Sequence, residues 1–174
     1  MQVWNCGFNC SRSLAGEISN MKKIEEELKT EFQSPAQKVH LNILFTASAL
    51  KNYFSKRLRY FDLSLEQYNV LRIVRGAQED KTCVKQISMR MIERSSNTTR
   101  IIDKLASKDL LFRQQSMDDK REQTIILTEK GKKLLEEIDH DVQKNPIHFC
   151  TLNNKEAETL SCMLDMVRNN LPSE

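Results

Sequence analysis

The residues best suited to chemistry lie between Ser95 and Lys104, where hydroxyls, an amide, an arginine and a lysine stand close together: Ser95, Ser96, Asn97, Thr98, Thr99, Arg100 and Lys104. None is poised for covalent work. Hydroxyls and amides both donate and accept hydrogen bonds, and the two cations seek anions. On a helical wheel Thr98, Ile101, Ile102 and Leu105 share one side, while Ser96, Thr99, Arg100, Asp103 and Ser107 share the other, with Asn97 and Lys104 on a flank. A solvent face without a large apolar residue offers donors and acceptors to base edges in a major groove, and cations to phosphates. An ordinary solvated helix face looks the same, so the surrounding elements must decide.

A second group follows at Ser116-Met117-Asp118-Asp119-Lys120-Arg121. Lys120 and Arg121 on a loop tip suit a phosphate backbone or the negative potential of a minor groove. Asp119 is placed to brace the Arg121 guanidinium through a charge-assisted hydrogen bond, which gives the acid a supporting role and the bases a binding role.

The elements that must position these groups are legible around them. Val84, Ile87, Met91 and Ile92 form the apolar face of a two-turn helix that precedes the Ser95–Leu105 helix, which Ser95 or Ser96 caps. Leu110–Arg113 and Gln123–Leu127 read as two strands flanking the polar tip, and Gln78–Thr82 as a charged loop. Upstream, Ser64-Leu65-Glu66-Gln67 fits a capping box ahead of a helix that turns Leu65, Tyr68, Leu71 and Val74 inward. Thr128 caps a long helix with Leu134, Leu135, Ile138 and Val142 on one face.

Two helices lie further out. Val39, Ile43, Ala47, Leu50, Phe54 and Leu58 recur at helical steps, with Leu44 and Phe45 widening the stripe enough to predict burial on more than one side. A last helix from about Asn153 carries Ala157, Leu160, Leu164, Val167 and Leu171, and with the Val39–Leu58 helix it is the expected subunit interface. The first 34 residues read as an extension: a poorly ordered leader to about residue 20, then a short helix with Ile18, Met21, Ile24, Leu28 and Phe32 on one face, ended by Pro35. The fold class is therefore mainly α with a small β-hairpin wing.

Composition bounds the rest. In 174 residues there are only four Gly and three Pro, which favours helix, and the formal charge of +3 requires any anionic partner to be met by a local patch. No apolar run approaches the roughly 18 residues of a membrane span, and the N-terminus lacks the parts of a secretory signal, so a cytoplasmic location is expected. The five cysteines (Cys6, Cys10, Cys83, Cys150, Cys162) are odd in number and scattered, which suits reduced thiols. His40, His140 and His148 with Cys150 lack metal-site spacing, so no metal or cofactor is expected. No phosphate-binding glycine loop, nucleophile elbow or His-Glu-x-x-His is present, which argues against an enzyme.

At Ser95–Leu105 and Asp119–Gly131 the chain resembles the MarR family of bacterial transcription regulators. Ser96, Asn97, Thr98, Thr99, Arg100 and Lys104 stand where that family has its recognition helix. Asp119-Lys120-Arg121 matches its Asp-x-Arg wing motif, and Leu127-Thr128-Glu129-Lys130-Gly131 its Leu-Thr-x-x-Gly. The resemblance implies a domain over residues 35–174, with a winged helix-turn-helix at about 62–130 and dimerisation helices at about 36–60 and 130–172. It implies a homodimer reading a palindromic site in double-stranded DNA, with Ser95 and the wing residues Lys120 and Arg121 completing the contacting set and Asp119 supporting the wing. It also implies a small aromatic ligand, for which Tyr53, Phe54, Tyr60, Phe61 and Tyr68 are the crevice candidates. The sequence departs from the family's pattern at Asp109, where Gly is usual in the turn before the wing, and at Glu122, whose charge lies beside Arg121. The competing reading keeps the fold without the DNA, as a winged-helix protein-interaction module. Against it stands the clustering of Lys85, Arg94, Arg100, Lys104, Arg113, Lys120 and Arg121 in one lobe.

Overall fold

The computed structural model describes residues 22–78, 81–93, 97–115, 123–144 and 152–172. They fall into two compact units divided between Arg59 and Tyr60.

The first unit holds α1 (Ile24–Leu28) and α2 (Pro35–Leu58). The helix expected to run on to Pro35 is shorter than its apolar spacing suggests. It stops at Lys29, which turns left-handed at φ 50, and Ile18 and Met21 lie outside the described residues. Pro35 instead opens α2 at its first turn, where a missing N–H costs nothing, and the Ser34 hydroxyl accepts from the Gln37 N–H at 3.2 Å. Glu25 and Lys38 pair across the two helices, and the hydrogen bond from Lys38 holds the Glu25 carboxyl below its ordinary value. Of the 24 residues in α2 only Leu58 is buried. Val39, Leu44, Phe45, Leu50 and Tyr53 stay exposed, so the described residues do not supply the burial that the stripe predicts.

The second unit contains the core. A 3-10 turn (Arg59–Phe61), which begins on the last residue of the first unit, leads to α3 (Leu65–Arg75), followed by β1 (Lys81–Cys83), α4 (Val84–Arg90), α5 (Thr98–Ser107), β2 (Leu111–Gln115), β3 (Gln123–Leu127), α6 (Glu129–Lys144) and α7 (Asn154–Asn169). The expected capping box is formed: Ser64 accepts from the Gln67 N–H at 3.2 Å, and Gln67 accepts from the Ser64 N–H at 3.0 Å. The central α3 buries Val70, Leu71, Ile73 and Val74, against a core completed by Ile87, Ile102, Leu105, Leu111, Ile125, Leu135 and Ile138. On its polar side Arg75 pairs with Asp139 of α6 at 2.7 Å.

Two local expectations are corrected. The charged loop at Gln78–Thr82 contains the start of a strand: β1 pairs antiparallel with β3, in the order β1-β3-β2, with Thr82 opposite Ile125 and buried. Three residues are too few to show alternation, and what orders them is the otherwise open edge of β3. Ile92 does not share the apolar face of α4. The helix ends at Arg90, Met91 turns extended at ψ 137, and the break leaves Met91 buried and Ile92 83% exposed. Among the described residues no helix is long and apolar enough to cross a membrane.

Removing the oxygen that opens α3 leaves the Gln67 N–H at the head of the most buried helix without its partner. Ser64→Ala is expected to cost about 1 kcal/mol of stability, measured as a lowered urea midpoint with unchanged m.

Candidate nucleic-acid interface

The helix-turn-helix consists of α4 and α5. The division of faces on α5 follows the sequence: Thr98, Ile102 and Leu105 are buried, Ile101 is half-buried, and Thr99, Arg100, Asp103, Lys104 and Ser107 are exposed. Thr98 thus gives its side chain to the packed side rather than to the polar face. Asn97 occupies the N-cap position and is exposed, but makes no side-chain cap. Ser95 and Ser96, the expected caps, lie outside the described residues together with Arg94, and so do Asp119, Lys120, Arg121 and Glu122. Of the cation cluster, Lys85, Arg100 and Lys104 are exposed and Arg113 is half-buried.

What fixes α5 in place is concentrated at its C-terminal end. Asp109 adopts the left-handed conformation, φ 58, that the family's glycine would supply, and the Leu110 N–H reaches back to the Leu105 carbonyl at 3.0 Å. The start of α6 then closes over this turn. The Thr128 hydroxyl accepts from the Gly131 N–H at 2.9 Å and donates to the Asp109 carbonyl at 2.8 Å, while the Thr128 N–H donates to the Leu110 carbonyl at 3.2 Å. Lys130 Nζ donates to the Lys108 carbonyl at 2.7 Å, placing a cation at the negative end of α5. Lys108 in turn binds the Asp62 carbonyl and, at 2.9 Å, its carboxylate.

Gly131 makes this closure possible. A Cβ built there would stand far inside contact distance of the Leu110 carbonyl oxygen and 2.9 Å from Leu127 Cδ1. The Leu-Thr-x-x-Gly signal is therefore a clasp: Leu127 is buried in the core, Thr128 caps, and Gly131 allows α6 to touch the main chain of the α5–β2 turn.

One set of contacts has no local sequence signal. Arg113, on β2, donates from Nη2 to Asp103 of α5 and from Nη1 to Gln123 of β3 at 2.9 Å. Its partners stand ten residues away on either side, beyond the reach of helical or strand periodicity. The five crevice candidates divide between the units. Tyr53 and Phe54 meet edge to face with centroids 6.0 Å apart in the first. In the second, Tyr60 is 89% exposed and Tyr68 accepts from Arg72 at 3.2 Å.

The family model described as transcriptional regulator SarA/Rot matches residues 52–138, half of the chain. The chain belongs to this SarA/Rot family. The family is one of transcriptional regulators rather than enzymes, and the chain has the winged-helix fold of solved MarR family proteins. Among curated proteins, the HTH-type transcriptional regulator MhqR of Bacillus subtilis is 29% identical over 123 residues, covering 68% of this chain and 81% of its own length. Sco3205, a MarR family regulator from Streptomyces coelicolor solved in complex with DNA, shares the fold at a TM-score of 0.65 and 19% identity, over 83% of this chain and 94% of its own. The organohalide-sensing regulator RdhR, solved with 2,4-dichlorophenol, shares it at a TM-score of 0.62 and 19% identity, over 97% and 89%. The SarA/Rot match ends at Ile138 within α6, so it spans α3, α4, α5, the hairpin strands and the clasp.

A methyl group at position 131 has nowhere to go without separating α6 from the turn. Gly131→Ala is expected to destabilise the protein by about 2 kcal/mol or more, read from chemical unfolding.

Proposed function

We propose that this chain binds duplex DNA sequence-specifically, as a cytoplasmic homodimer on a palindromic operator of a bacterial genome. The observation that carries the reading is the separation of faces on α5: Ile102 and Leu105 are fully buried, while Thr99, Arg100 and Lys104 project from the opposite side. In this reading α5 lies in the major groove. Ser95, Ser96, Asn97, Thr99 and Arg100 meet base edges, Lys104 meets the backbone, and Thr98 holds the helix in register from its packed side. Lys120 and Arg121 extend the contact along the phosphates, with Asp119 bracing Arg121. Solution of the structural relative Sco3205 with DNA supports the assignment.

The dimer is supported by what the described residues leave uncovered. Val39, Leu44, Leu50 and Tyr53 of α2, and Leu160, Met163, Leu164 and Val167 of α7, are exposed on amphipathic helices. Apolar surface of that extent marks an interaction site. Two recognition helices related by a two-fold axis require half-sites about one helical turn, roughly 34 Å, apart. A small aromatic effector that weakens DNA binding completes the proposal, supported by the dichlorophenol bound to RdhR.

Selection from a random duplex library with the full-length protein is expected to recover a palindromic motif. Recovery of no motif, with retention on DNA that does not respond to salt, overturns the reading in favour of a protein-interaction module. On the recovered site, Arg121→Ala should weaken binding to all sequences and lower the salt slope by about one, whereas Asn97→Ala or Arg100→Ala should cost roughly 1–3 kcal/mol and relax base preference. Leu164→Glu, which sets a charge in the α7 stripe, is expected to convert a dimer into a monomer in sedimentation equilibrium; an unchanged dimer places the interface elsewhere.

A further inference from the structure

Asp103 is out of place on a surface that meets nucleic acid. It follows Arg100 by one helical turn on the exposed side of α5, and its side chain is 60% exposed. A carboxylate there repels phosphates, and its own attraction to base edges is confined to the exocyclic amino groups of cytosine and adenine. Its partner is Arg113, whose side chain is 28% exposed. Arg113 is in turn tied to Gln123, the first residue of β3. One planar guanidinium therefore joins three elements: the helix that carries the base-facing residues, and both strands that lead to the wing tip. A guanidinium suits this task because its donors form a rigid fork, so that fixing it on one acceptor fixes the direction toward the other.

We propose that Arg113 is a positioning residue for DNA recognition, and that the Asp103–Arg113–Gln123 bridge sets the angle between the recognition helix and the wing. This rests on the DNA-binding reading above. Asp103 then acts as an anchor rather than as a contact, and Arg113 is withheld from the phosphates although it is a cation in the binding lobe. The arrangement makes base discrimination depend on two residues that touch no base. With the bridge intact, α5 and the wing engage one duplex in one geometry. Without it, either can bind while the other is misaligned, and correct and incorrect sequences are told apart less well.

The test compares wild type, Asp103→Ala, Arg113→Gln and the double variant, each as the full-length protein, on the motif selected by the wild type and on a scrambled duplex. Simple electrostatics and the positioning role predict opposite signs for Asp103→Ala. If the carboxylate is only a negative charge near DNA, its removal tightens binding to both duplexes. If it anchors the bridge, its removal lowers the ratio of specific to scrambled affinity by about fivefold, Arg113→Gln does the same, and the double variant is no worse than either single one. The melting temperature distinguishes positioning from folding, because an exposed pair contributes little to stability and should leave it nearly unchanged. The salt slope should also stay near the wild-type value in Arg113→Gln, whereas a phosphate-contacting arginine would lower it by about one. Tighter binding by Asp103→Ala, or additive losses in the double variant, overturns the positioning role while leaving the DNA-binding reading intact. A wild type that selects no motif overturns both.

Discussion

The second unit depends on one close approach, between Gly131 and the main chain of Leu110. Because nothing projects from Gly131, the first turn of α6 comes near enough for Thr128 and Lys130 to reach the carbonyls at Lys108 and Asp109. These carbonyls lie in the turn that leaves the C-terminal end of α5, and the Thr128 N–H bonds the residue that leads into β2. Helix, hairpin and the following helix therefore share a single junction. A local conflict is accepted there, since Asp109 sits in a conformation that a side chain disfavours, and the surrounding hydrogen bonds offset it.

The two surfaces of the molecule obey different rules. In the second unit the apolar residues of α3, α4, α5, α6 and the strands find one another, and polar groups are left outward. In α2 and α7 the apolar stripes remain open. Helices of this kind gain most of their stability from packing an amphipathic face and little from propensity. Their persistence as regular helices, with Ser34 and Asn153 capping their starts, calls for a surface to lie against. The proposed dimer supplies one, and it would make the outer helices and the reading lobes mutually dependent.

Much of this was legible in the residues. The capping box at Ser64, the packed and open faces of α5, the two hairpin strands and the helix opened by Thr128 all follow from short-range chemistry, in which a few neighbouring side chains decide the outcome. The misses have a common cause. The β1 strand is created by an edge more than forty residues away, where Lys81 pairs with Ile126. The exposure of Ile92 follows from a backbone break at Met91 that no hydrophobic pattern encodes. Lys29 ended α1 before its apolar spacing did, and Pro35, read as a stop, is a start. At the candidate interface the sequence found the groups on the exposed face, but it also counted Arg113 as one more cation in the lobe. Only the fold shows that Asp103 holds that side chain, because the pair joins a helix to a strand.

The contact at Gly131 also has a genetic consequence. The nearest atom that excludes a side chain there is a peptide oxygen, which every amino acid at position 110 would present identically. A cavity in the core can be refilled by enlarging a neighbour, and a lost ion pair can be restored by exchanging its partners. An obstruction made of backbone has no such remedy from the residue that forms it. A lesion at position 131 should therefore lack intragenic suppressors at position 110, and those that arise elsewhere should act globally, by raising the stability of the whole lobe rather than by repairing the junction.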